Sequence, residues 1–100
     1  MQNVKKFEKS LWGSPIEIER RRRIKVSVAA YAYETLDDSI IDDFEYDRLC
    51  REIDVSIDTG NKVLDEFFRK EFDPSTGYWV HKHPEPHKLK ELYYRYYHDR

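Results

Sequence analysis

One cysteine, Cys50, in 100 residues excludes any disulfide within the chain and implies no need for an oxidising compartment. No apolar run approaches the roughly 20 residues that a membrane-spanning helix requires. Met1 is followed by polar residues and not by the apolar centre of a signal peptide, so a cytoplasmic protein is expected, with no membrane partner. An excess of one charge is missing too. Eighteen Lys and Arg stand against 20 Asp and Glu, net −2, which removes any global attraction to nucleic acid or anionic lipid. Catalytic signatures are absent: there is no Gly-x-Gly-x-x-Gly, no phosphate loop and no His-Glu-x-x-His. Cys50 falls on the apolar side of its helix, a poor place for a nucleophile.

What the chain has is charge and aromatic rings. Charged residues make up 38% and hydrophobic ones 39%, so a modest core must lean on eight Tyr, five Phe and two Trp. One domain, 1–100, is expected. Its fold class is all-α: a small bundle of about four helices around an aromatic core. An arm occupies 1–13, a helical hairpin 14–54, and further helices 61–97. An irregular His/Pro-rich loop precedes the last helix.

Ser14-Pro15 reads as a helix start, a capping hydroxyl followed by proline at the first helical position, with Glu17 completing a capping box. Ile24, Val28, Tyr31, Ala32 and Leu36 then form one stripe, widened by Val26, Ala30 and Tyr33. Within this helix Arg20, Arg21, Arg22 and Arg23 fan round the circumference. They are either a solvated face or contacts to phosphate, of a nucleotide or a nucleic-acid backbone. Thr59-Gly60 marks a turn, and Asn61 or Thr59 caps a third helix carrying Val63, Leu64, Phe67, Phe68 and Phe72. Asp73 to Gly77 is a strong turn signal. Tyr78-Trp79-Val80 suits a short extended piece without a partner strand. The last helix starts near Pro84 or Pro86 and runs to about Tyr97, with Leu89, Leu92, Tyr93 and Tyr96 facing inward and Tyr94 and Tyr97 partly exposed.

The stretch from Ala30 to Ile53 carries the most information. Asp42 caps a second helix, Glu45 stands three residues on, and Tyr46, Leu49, Cys50 and Ile53 share one face. Asp43 and Asp47 are four apart and lie on one side beside Tyr46. Two readings are open: an ordinary helix start, or an aromatic-edged polar notch that holds a ligand. Tyr33 followed by Ile41-x-Asp43-x-Glu45-Tyr46-Asp47-Arg48-Leu49-x-Arg51-Glu52-Ile53 resembles the N-terminal helical subdomain of bacterial NAD-dependent DNA ligases. It is also similar to small, often phage-encoded, ligase-related proteins. The resemblance covers about a quarter of the chain. It implies a binding module for the nicotinamide mononucleotide half of NAD, with Tyr33 and Tyr46 sandwiching the ring and Asp43 and Asp47 holding its polar edge and ribose. The family's His after the first Tyr is Glu34 here, and an anion beside a phosphate repels it. The Lys-x-Asp-Gly adenylation motif is missing, so no enzyme is expected, at most an accessory to a separate catalytic chain.

Two further groups stand out. His81, His83 and His87 have the residue type of a metal site, but no cysteine is near and the prolines at 84 and 86 spread the rings, so no metal is expected. Their other role is a polar loop that tunes an interface near neutral pH. Tyr94 and Tyr97, with Trp79, His81 and His83, compose the alternative function: a protein–protein interaction module, such as a phage protein that binds and modulates a host protein.

Overall fold

Ser14, Asp42 and Asn61 each sit in extended backbone and turn a side-chain oxygen onto the N–H three residues ahead, at 3.3, 2.7 and 3.1 Å. Those caps satisfy donors that the first helical turn leaves open. They start α1 (Pro15–Leu36), α2 (Asp43–Glu52) and α3 (Lys62–Glu71). Pro86 opens α4 (Pro86–Tyr96). The computed structural model describes residues 13–99, and among these the chain is all-α, a bundle of four helices plus one 3-10 segment, Tyr78–Lys82. The expected arm lies outside the described residues apart from Gly13. No helix among the described residues is long and apolar enough to cross a membrane.

The glutamates of the two capping boxes do not reach back to their caps. Glu17 takes Arg20 at 2.7 Å, and Glu45 takes Lys25 at 2.9 Å, which ties α2 to α1. At the other end of α1, Asp37 adopts φ 53°, a left-handed conformation that Asp tolerates better than most residues. Asp38 then returns its N–H to the Ala32 carbonyl at 3.0 Å, and its carboxylate accepts the Tyr93 hydroxyl at 2.6 Å. That bond pins α4 to the start of the α1–α2 connection.

A single apolar stripe does not describe α1. Five consecutive residues, Val26 to Ala30, are all buried, whereas Ile24 is half exposed. The helix is a central rod: α2, α4 and the 3-10 segment all pack against it. A helix covered on several sides needs apolar or small residues all round, not one face.

Tyr78-Trp79-Val80 is helical, not extended. Trp79 and Val80 are both buried, which neighbouring residues of a strand, pointing to opposite faces, would not both achieve. Trp79 meets Phe67, Phe68 and Phe72 with ring centroids 5.1–6.0 Å apart. This cluster and the α1 midsection form the core. Of the two tyrosines expected inside, Tyr93 is buried and Tyr96 is 64% exposed.

The arginine run contains a core element. Glu19, Arg23, Thr59 and Asp65 are all buried. Arg23 bonds Glu19 and Asp65 at 2.8 Å each and the carbonyls of Asp54 and Ile57 at 2.9 and 3.1 Å. Asp65 also accepts from the Thr59 N–H and hydroxyl at 3.0 and 2.6 Å. The cluster therefore ties α1 to the α2–α3 connection and to the first turn of α3. Burial pushes the Asp65 carboxyl up, but the Thr59 bonds and the Arg23 guanidinium together hold it below the usual carboxylate value. Phosphate contact is closed to Arg23, whose donors are spent inside the fold. Arg20 bonds Glu17 and the Thr59 carbonyl, and Arg22 bonds Glu19 and the Glu52 carbonyl.

Candidate functional site

Tyr33, near the end of α1, and Asp43 and Tyr46, in the first turn of α2, line one cleft. The α1–α2 connection supplies Ser39, Ile40 and Ile41 as a wall, and Ala29, Ala30 and Gly77 complete the lining. The opening measures about 160 Å³. It exists because its floor is made of the smallest side chains. A Cβ on Gly77 would stand 3.4 Å from the Ala30 Cβ, 3.5 Å from a Glu34 carboxylate oxygen and 3.6 Å from the Tyr46 hydroxyl. Space and contacts here are therefore set by Gly77, a residue 44 positions beyond Tyr33 that a local pattern does not connect with the cleft.

The two tyrosines differ. Tyr33 is 57% exposed, a ring at the mouth. Tyr46 is half-buried, packs against the core and donates its hydroxyl to the Thr76 carbonyl at 3.3 Å. Burial, followed by the neighbouring Cys50 and Glu34, raises its phenol above the ordinary tyrosine value, so it is a neutral donor at any physiological pH. No ring–ring contact joins Tyr33 to Tyr46. Asp47 is exposed and does not line the cleft. One turn of helix, about 5.4 Å, carries it past the mouth that Asp43 borders.

The electrostatics are one-sided. Asp43 lines the cleft, Glu34 lies against its floor, and no lysine or arginine is among the described lining residues. None of Arg20 to Arg23 takes part. His81 stands 3.5 Å from Glu34, and Tyr78 covers the His81 ring edge-on at 4.7 Å.

The other expected contact residues separate by burial. Tyr94 is exposed and Tyr97 half-buried, but Trp79 and His83 are interior and offer no surface to a partner. No group of three described His, Cys, Asp or Glu side chains is arranged to hold a metal ion. His83 instead meets the Phe67 ring edge-on at 5.1 Å, and its Nδ1 accepts the Glu85 N–H at 3.0 Å. Burial lowers its pKa below the ordinary imidazole value, with Glu85 opposing weakly. The unfolded chain therefore takes up a proton, at about pH 6.5, before the folded one does. The His83 contribution to stability should be flat above neutrality and fall as pH drops from about 7 toward 5. His83→Asn should flatten that slope in urea unfolding at pH 7, 6 and 5. An unchanged slope would place the titration elsewhere.

No family model, curated protein or solved structure matches this chain.

Proposed function

We propose that the chain is a non-catalytic recognition module whose cleft takes the nicotinamide ring of a nicotinamide nucleotide, presented to or shared with a separate catalytic chain. The observation that carries this is the meeting of Tyr33, Asp43 and Tyr46 at one open, acidic cleft with no lysine or arginine among its described lining residues. At about 160 Å³ it is smaller than the roughly 300–1,000 Å³ of drug-sized pockets, so it suits one flat ring, not a whole dinucleotide. Oxidised nicotinamide nucleotides carry a permanently cationic pyridinium. Aromatic faces and a carboxylate favour such a ring. Its amide N–H groups match a carboxylate acceptor. Ribose and phosphate extend outward, and Glu34 beside the floor disfavours the phosphate.

Calorimetry with 1-methylnicotinamide, nicotinamide mononucleotide and NAD tests this reading. All three should bind, and 1-methylnicotinamide should bind at least as tightly as the mononucleotide. Neutral nicotinamide should be weaker than both. Tyr33→Ala should weaken binding about fivefold, as loss of one exposed cation–π partner predicts, with the melting temperature held. No heat from any probe, or unchanged affinity in both Tyr33→Ala and Asp43→Asn, would remove the reading.

One observation favours a second reading. Phe44, beside Asp43, is 77% exposed, and Tyr78, beside Gly77, is 68% exposed. Large exposed rings next to a cleft in a small domain are the composition of a protein contact. In that reading Tyr33, Phe44 and Tyr78 grip a partner protein. Phe44→Ser with Tyr78→Ser would then abolish co-purification of that partner and leave 1-methylnicotinamide binding untouched.

A further inference from the structure

A second concavity lies on the other side of α1 and shares no lining residue with the cleft. It measures about 280 Å³ and runs between α1, the start of α3 and α4. Ile24, Leu64, Phe68, Leu89 and Leu92 make its apolar walls. Four buried polar residues also line it: Arg23 and Thr59, already bonded within the ion cluster, and Ser27 and His83. Ser27 is 1% exposed, and its hydroxyl has no hydrogen-bond partner, not even the carbonyl one turn back that a helical serine ordinarily takes. A buried hydroxyl without a partner is destabilising, so its presence calls for an explanation. His83, 9% exposed, accepts at Nδ1, so its neutral ring carries the proton on Nε2, a donor at the groove surface; among the described residues Ser27 Oγ alone is a buried side-chain polar atom without a partner.

The rim has a matching bias. Lys88 forms no ion pair among the described residues. Asn61 spends its carbonyl oxygen on the Leu64 N–H, which leaves its amide N–H groups as donors. Arg20 adds a second cation to the rim, paired with Glu17, and Glu85 is the single carboxylate among the described lining residues. Walls that want hydrocarbon, a buried hydroxyl without a partner, an imidazole N–H at the groove surface and a rim richer in donors than acceptors specify one ligand chemistry. We infer that this groove binds a small amphipathic carboxylate, its apolar body against Leu64, Phe68 and Leu89 and its carboxylate within reach of Ser27, His83 and Lys88. The volume, at the lower edge of small-molecule pockets, limits the body to a short alkyl chain or one ring.

Hexanoate is the probe, with hexan-1-ol as its uncharged match, in amide shift mapping of the full chain. At about 20 mM, a concentration that registers even millimolar ligands, hexanoate should give saturable shifts at Ser27, Leu64 and Leu89. Hexan-1-ol should bind about tenfold more weakly, the difference a charge-assisted hydrogen bond makes. Lys88→Glu, an exposed change that leaves the fold alone, should weaken hexanoate about fivefold and leave hexan-1-ol unchanged. Ser27→Ala should weaken both. The absence of saturable shifts would show that water satisfies both donors and would overturn the site. Equal affinity for acid and alcohol, or indifference to Lys88→Glu, would overturn the assignment to a carboxylate.

Discussion

Arg23→Met should lower the unfolding free energy by about 3–5 kcal/mol, the cost of removing one member of a buried ion cluster. Total stability of a small domain is about 5–15 kcal/mol, so the variant should be partly unfolded near 37 °C. Methionine fills much of the guanidinium's volume, and the loss is therefore electrostatic. It leaves the Glu19 and Asp65 carboxylates buried without their common cation and the carbonyls of Asp54 and Ile57 without donors. Arg23→Lys should recover only part of the loss, because one ammonium cannot span four acceptors. Urea unfolding followed by circular dichroism measures both. A loss below about 1 kcal/mol in Arg23→Met would mean that the cluster is solvated and behaves as a surface pair. The same cluster sets the acid limit. The Asp65 carboxyl is held below its ordinary value, so its contribution is complete above about pH 4 and is lost as pH falls through the lower folded value.

Trp79→Ala should cost a similar 3–5 kcal/mol, the usual penalty for emptying a large aromatic site in a core. Its effect should be on folding and not on recognition of a partner, because the indole is 5% exposed among three phenylalanine rings. The milder Trp79→Phe separates packing from hydrogen bonding. The indole N–H bonds the Thr76 carbonyl at 2.9 Å, the same oxygen that receives the Tyr46 hydroxyl. Losing that bond should cost about 1 kcal/mol and loosen the Thr76-Gly77 corner at the cleft floor. Trp79→Phe should therefore weaken nicotinamide binding while most of the stability survives. Thermal melting alongside calorimetry distinguishes the two effects.

Helix starts were legible in the chain because capping is local: Ser14, Asp42, Asn61 and Pro86 act within four residues of themselves. The arginine run was opaque for the opposite reason. Arg23 finds Asp54, Ile57 and Asp65 31 to 42 positions away, and no pattern within a helix tells a buried guanidinium from a solvated one. Trp79 and Val80 looked extended because aromatic and β-branched residues favour strands, yet packing both against α1 required a tighter turn. At the cleft, Tyr33, Asp43 and Tyr46 were visible as a motif and do converge. Glu34 was visible as a charge but its place against the floor was not, nor was Gly77, since both depend on a loop returning from the far half of the chain. Ser27 carried no local signal in the sequence; its hydroxyl gains meaning only from the groove it lines.

Amide shift mapping with 1-methylnicotinamide decides whether the cleft is a nicotinamide site. Saturable changes should concentrate at Ser39, Asp43, Tyr46 and Gly77 and diminish in Tyr33→Ala. Shifts confined to other surfaces, or none at tens of millimolar probe, would contradict it.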